Sequence, residues 1–186
     1  MADSNITKKA LGDAMKSLMA EKPFAKISIS DICQRCSMNR QSFYYHFRDK
    51  YDLVNWIFYT ELIQKLQENP TSDGWVLLQD VCSYFYENRP FYVNALQVTG
   101  QNAFIDYFAD VLHAIVQPFF EEIFHEDEAH LDFYVQLFTD VSRAAIMRWL
   151  LDEADIKPAE FVRLVRHAVI SMSKCVMREQ TVGEEK

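Results

Sequence analysis

The sequence predicts an all-α protein: a small helical domain over residues 1–50, a larger helical domain over 51–179, and an irregular tail over 180–186. Three observations carry that prediction. Apolar residues recur at three- and four-residue spacing along most of the chain, the period of an amphipathic helix. No segment alternates apolar and polar residues as a half-buried strand would. Turn-forming residues gather at a few short stretches and leave long helical segments between them.

Composition bounds the function. At 49% hydrophobic residues the chain can bury a full core. No apolar run reaches the ~20 residues of a membrane span, and the N-terminus lacks the apolar stretch of a signal peptide, so a cytoplasmic protein with no membrane partner is expected. The net charge is −8, but it is uneven: residues 1–53 hold nine Lys/Arg against six Asp/Glu, or +3, and residues 54–186 hold ten against twenty-one, or −11. Positive charge is concentrated in the first domain.

The first helix is expected over Ile6 to Met19, with Ala10, Ala14 and Leu18 in one row and Leu11 and Met15 beside it. Lys8, Lys9 and Lys16 lie off that face, and Lys16 reads as solvated. Pro23 and Phe24 close the following turn. Ser28, with Asp31 three residues on, is a capping box that starts a helix with Ile29, Ile32 and Cys33 inward. Cys36-Ser37-Met38 interrupts the period, and Asn39 restarts it as an N-cap with Ser42 three residues later. Phe43 and Phe47, four apart, turn toward Ile29 and Ile32, which leaves Arg40, Gln41, Tyr44, Tyr45 and His46 on the outer face.

Two short helices joined by a tight turn, the second presenting polar and aromatic groups outward, form a helix-turn-helix whose second helix enters the DNA major groove. Arg40 and Gln41 are the candidates for base edges, because a guanidinium and an amide make bidentate contacts to guanine and adenine. Ser28, Tyr44, His46 and Lys50 are candidates for phosphate contacts, and Tyr45 for either. Asn39 and Ser42 complete the DNA-facing set.

Ile27-Ser-Ile-Ser-Asp-Ile32, Asn39-Arg-Gln-Ser-Phe-Tyr-Tyr-His-Phe47 and Asp49-Lys-Tyr-Asp-Leu53 resemble the DNA-binding domain of TetR-family transcriptional regulators. Cys33 and Cys36 stand where that family usually has alanine, and Ser37 where it has glycine; Ser37 must therefore hold a turn conformation that glycine adopts at lower cost. The resemblance implies a double-stranded DNA operator of pseudo-palindromic sequence, a homodimer, and an effector received by the C-terminal domain. Asn55-Trp56-Ile57-Phe58, Gly74-Trp75 and Asn88-Arg89-Pro90-Phe91-Tyr92 resemble a subgroup that includes an activator of a dihydroxyacetone kinase operon. Two kinds of effector follow from it, a small molecule or a regulatory protein.

In the second domain one long helix is expected over Tyr51 to Asn69, apolar on two sides and so packed against two bodies. Helices follow over Trp75 to Asn88, over Phe91 to Val98 with an end near Gly100, and over Asn102 to Gln117, continuing past a kink at Pro118 into Phe119 to Phe124. The last two cover Leu131 to Asp152 and Pro158 to Arg178. Twenty of the 26 aromatic residues follow residue 53. Trp56, Tyr59, Trp75, Tyr84, Phe85, Phe104, Tyr107 and Phe108 lie on helices that border the effector pocket in the TetR family, so the resemblance makes them the pocket candidates. The stripes on the last two helices are too wide for one small domain to cover, which predicts a dimer through Ala144, Ala145, Phe161, Leu164, Val165, Ala168 and Met172.

Catalytic and cofactor chemistry find no support. The four glycines are scattered, so no loop cradles a phosphate, and His113 and His167 have no nucleophile spaced for a triad. Cys33-x-x-Cys36 lacks a second ligand pair and reads as small core residues. His125 and His130 are five apart around an acidic loop, which misses the i, i+4 geometry of a zinc helix. No metal and no cofactor are expected.

Overall fold

A computed structural model describes residues 2–97, 104–124, 128–152 and 156–183. The chain is helical throughout, with no strand among the described residues. Helix α1 spans Ala2–Glu21, followed by a 3-10 turn at Phe24–Lys26, α2 at Ile29–Arg35 and α3 at Arg40–His46. Helix α4 begins as Lys50–Phe58, passes through a π-helical segment at Tyr59–Ile63, and ends as Gln64–Glu68. Then come α5 (Gly74–Glu87), α6 (Arg89–Leu96), α7 (Phe104–Ile123), a 3-10 turn at Glu128–His130, α8 (Leu131–Leu151) and α9 (Pro158–Gly183).

Boundaries moved in three places. Helix α1 begins before Ile6, α7 runs unbroken through Pro118, and α9 continues to Gly183, so the backbone of 180–183 is helical where a tail was expected. The expected turn near Gly100, the helix start at Asn102 and residues 125–127 of the expected acidic loop lie outside the described residues, while Glu128–His130 of that loop forms the 3-10 turn.

The first domain closes over Leu11, Met15 and Leu18 of α1, Phe24, Ile27, Ile32, Cys33, Phe43 and Phe47, all buried. Leu53 and Ile57 of α4 join them. Gly12 permits α1 to lie close on α4, because a Cβ there would stand 3.4 Å from both Ile57 and Trp56. Arg35 ties α2 to α1 through a bidentate pair with Glu21, at 2.7 Å on each nitrogen, and a bond to Ser17.

In the second domain, Phe58 of α4 is the hub of a packed aromatic cluster. The rings of Phe85, Tyr92, Phe104 and Phe108 lie 5.2–6.1 Å from it, all buried. Helix α8 is anchored at its end: Trp149 stacks between Tyr86 and Phe161, and its indole N–H donates to the Ile156 carbonyl at 2.8 Å. Arg89 completes that end by donating to the carbonyls of Leu150, at 2.9 Å, and Asp152.

Candidate nucleic-acid interface and regulatory cavity

The helix-turn-helix is built from caps. The Ser28 hydroxyl accepts the Asp31 N–H at 3.1 Å while the Asp31 carboxylate accepts the Ser28 N–H at 2.8 Å. That backbone bond, with Lys22 at 3.0 Å, holds the Asp31 carboxyl down at about 2. The Asn39 side chain accepts the Ser42 N–H at 2.8 Å and starts α3. Between the helices Ser37 sits at φ 56°, the left-handed conformation that glycine holds more cheaply. Its amide donates to Gln34 and the next amide to the Cys33 carbonyl at 2.8 Å, which fixes the turn.

Helix α3 buries Phe43 and leaves Arg40, Gln41, Tyr44 and Tyr45 exposed, with Tyr45 82% exposed. The Arg40 guanidinium lies over the Tyr44 ring at 5.9 Å, and Tyr44 packs edge-on against Phe43 at 5.7 Å. Tyr44 and Tyr45 nonetheless leave half or more of their area outward. His46 is half-buried beside Tyr45. Asn39 and Ser42 are engaged with each other at the cap. Ser28 is exposed, with its hydroxyl engaged by Asp31.

Lys50 is placed differently from the expectation. Its ammonium donates to the carbonyls of Phe24 and Ile27, both at 2.8 Å, and Ala25 at 3.4 Å, and lies 4.4 Å from the Phe24 ring center. Burial lowers its pKa below the ordinary lysine range. All three donors serve the turn before α2, so Lys50 positions the domain and has none left for a phosphate. Lys16 also departs from its reading as solvated: it pairs with Glu61 of α4 at 2.5 Å. Lys26, at the end of the 3-10 turn before α2, and Arg48, just after α3, are exposed cations near the motif, with the Arg48 side chain 74% exposed. Spacing did not single them out, since neither belongs to a helical pattern.

Cys33 is buried and its thiol points to the Asn39 carbonyl at 3.5 Å; Cys36 points to the Ile32 carbonyl at 3.3 Å. Burial raises both thiol pKa values. No group of His, Cys, Asp and Glu among the described residues could hold a metal.

Seven of the eight aromatic pocket candidates pack among the described residues away from the cavity between α5, α7, α8 and α9. Phe85, Phe104 and Phe108 are core, packed on Phe58 with Tyr84 and Tyr107 around them. Trp56 packs on Phe47 at 5.6 Å, and Tyr59 belongs to the π segment. Trp75 is the one of the eight that borders this cavity, a space of about 290 Å³ between α5, α7, α8 and α9. Its walls include Leu78 and Val81 of α5, Leu112, Val116 and Phe119 of α7, Phe138, Ser142, Ala145 and Ile146 of α8, and Phe161 and Val165 of α9.

Family comparisons fit this geometry. Residues 12–57 match the model for bacterial regulatory proteins of the tetR family, and residues 76–171 match the model for a transcriptional regulator C-terminal region. The chain belongs to the TetR family. It is 36% identical over 95 residues to the HTH-type dhaKLM operon transcriptional activator DhaS of Lactococcus lactis subsp. lactis (strain IL1403), a match spanning half of this chain and half of that relative's length. Among solved structures, the dihydroxyacetone kinase operon activator DhaS has a TM-score of 0.63 at 21% identity, covering 91% of this chain and 97% of that one. NalD, the secondary repressor of the MexAB-OprM multidrug efflux pump in Pseudomonas aeruginosa, has a TM-score of 0.59 at 18% identity, covering 91% and 96%. These structures share the fold.

Membership of the TetR family places the chain among transcriptional regulators. Beside the apolar packing of α4, two long-range polar contacts join the first domain to the rest. Asn94 of α6 accepts the Phe24 N–H at 2.7 Å and donates to the carbonyls of Met19 and Lys22 at 3.0 and 3.1 Å, so one side chain caps the end of α1 and holds the turn before α2. Lys16 of α1 pairs with Glu61, which accepts from the Tyr84 hydroxyl at 3.1 Å; Tyr84 lies 2.6 Å from the hydroxyl of fully buried Tyr92. Sequence spacing signals neither, because their partners are up to 75 residues apart. No helix among the described residues is long and apolar enough to cross a membrane.

The dimer candidates divide. Ala145, Phe161 and Val165 face the cavity within one chain. Ala144, Leu164, Ala168 and Met172 are exposed, and on α8 they continue into exposed Phe133, Leu137 and Val141. Phe133 is 64% and Met172 71% exposed, unusual for large apolar groups on a folded surface.

Proposed function

We propose that the protein is a cytoplasmic homodimer that reads a pseudo-palindromic DNA operator through α3 and responds to an effector held in its C-terminal domain. The observation that carries this reading is the outward face of α3, where Arg40 and Gln41 stand exposed on a helix capped by Asn39. Arg40 and Gln41 read base edges, while Tyr44, Tyr45, Ser28, His46, Lys26 and Arg48 place the module on the backbone. The charge of the first domain suits that polyanion.

The apolar rows Phe133, Leu137, Val141 and Ala144 on α8 and Leu164, Ala168 and Met172 on α9 support an isologous four-helix interface, with the alanines permitting close approach. An effector signal has a mechanical route. Phe104 and Phe108 of α7 pack on Phe58 of α4, and α4 in turn is joined to α1 through Glu61 and Lys16. The open cavity favors a small molecule as effector; a fully packed domain would have favored a regulatory protein.

Selection from randomised duplexes by the wild-type protein tests the reading. The expected product is a pair of inverted half-sites with centers about one duplex turn apart, roughly 34–36 Å, or a whole multiple of it. A single half-site bound by a monomer would refute it.

A further inference from the structure

We infer that the cavity between α5, α7, α8 and α9 is a binding site for an uncharged, mainly apolar molecule of roughly 10–20 non-hydrogen atoms, aromatic by preference. Its role as the effector site rests on the regulatory reading above; its capacity to bind does not.

Size is the first argument. A volume of about 290 Å³ is close to the lower end of natural ligand pockets and about twice the ~150 Å³ of a cavity known to hold benzene. Core packing seldom leaves such a space. Here it arises from small residues at the wall: a Cβ on Gly74 would still lie 3.9 Å from the Phe119 ring, and Ser142 and Ala145 present little volume from α8. The walls cannot easily collapse, since α8 is held by Trp149 and Arg89 and α7 by the rings around Phe58.

Chemistry sets the class. No Asp, Glu, Lys, Arg or His is among the lining residues; the polar groups are the Ser142 hydroxyl and the Trp75 indole. A charged ligand would surrender its hydration and find no ionic partner among the lining residues; the Arg166 guanidinium, 5.8 Å from the center of the Trp75 ring, stands outside them. The rings of Trp75, Phe119, Phe120 and Phe138 offer planes for stacking, and Ser142 can make one orienting hydrogen bond. Phe138 and Ile123 at the wall are themselves exposed, so a ligand has a way in.

The test compares two fluorescent probes with one skeleton, neutral N-phenyl-1-naphthylamine and anionic 8-anilino-1-naphthalenesulfonate, on the full chain. The neutral probe should bind one per chain, at least tenfold more tightly than the sulfonate. Ala145→Phe and Val165→Phe fill the space from two helices, and each should weaken the neutral probe at least tenfold while circular dichroism shows native helix content. Equal or tighter binding of the sulfonate overturns the proposal, as does wild-type probe affinity in a folded filling variant. Should both variants fail to fold, the ratio between the two probes decides. Operator affinity measured with and without saturating neutral probe separates the two readings: tight, variant-sensitive binding that leaves operator affinity unchanged supports the site and counts against its regulatory role.

Discussion

The two domains expose opposite kinds of chemistry. The helix-turn-helix has its starts capped by Ser28 and Asn39, the turn before α2 braced by Lys50, and its core closed, so its exposed groups include the polar and aromatic side chains of α3. The C-terminal domain exposes Phe133, Leu137, Val141, Leu164 and Met172 and contains an open apolar cavity. One domain is complete as a single chain and offers a polar surface to a polyanion. The other leaves apolar rows outward, which in the proposed dimer a second copy covers.

Breaking the second domain's proposed interface should have the largest effect. Ala168→Glu places a charge on the exposed row of α9, and sedimentation should show a monomer whose operator affinity is down at least 100-fold, with the helix-turn-helix still folded. A dimer of unchanged stability would show that the apolar rows serve another purpose.

Cutting the join between domains should cost less. Asn94→Ala leaves the Phe24 N–H and the Met19 and Lys22 carbonyls without their partner, which should lower stability by about 1–3 kcal/mol and speed hydrogen exchange at the end of α1. Unchanged exchange there would remove Asn94 from the coupling. Lys50→Met keeps the length of the side chain and loses its carbonyl bonds, so melting temperature should fall while the salt dependence of operator binding keeps its slope. A slope reduced by about one, with melting unchanged, would restore Lys50 to the phosphates.

What could be read in the sequence was the chemistry that is local. Ser28 with Asp31, and Asn39 with Ser42, announce two helix starts within four residues each, and the strain at Ser37 follows from a non-glycine in a tight turn. Lys50 escaped because its acceptors are backbone carbonyls 23–26 residues away, which no side chain advertises. The cavity escaped for another reason. Aromatic residues signal burial, and Phe85, Phe104 and Phe108 are indeed buried, but an empty space is made by what is small, here Gly74, Ser142 and Ala145. A wide apolar stripe likewise cannot reveal that Phe161 and Val165 face inward while Leu164 and Met172 face out.

The most direct test of operator reading by α3 repeats the duplex selection with Arg40→Ala and Gln41→Ala. Each variant should lose base preference at one symmetric pair of positions, with about 1–3 kcal/mol lost on the preferred operator and little change on other sequences. A uniform loss of affinity with the wild-type preference intact would contradict the account.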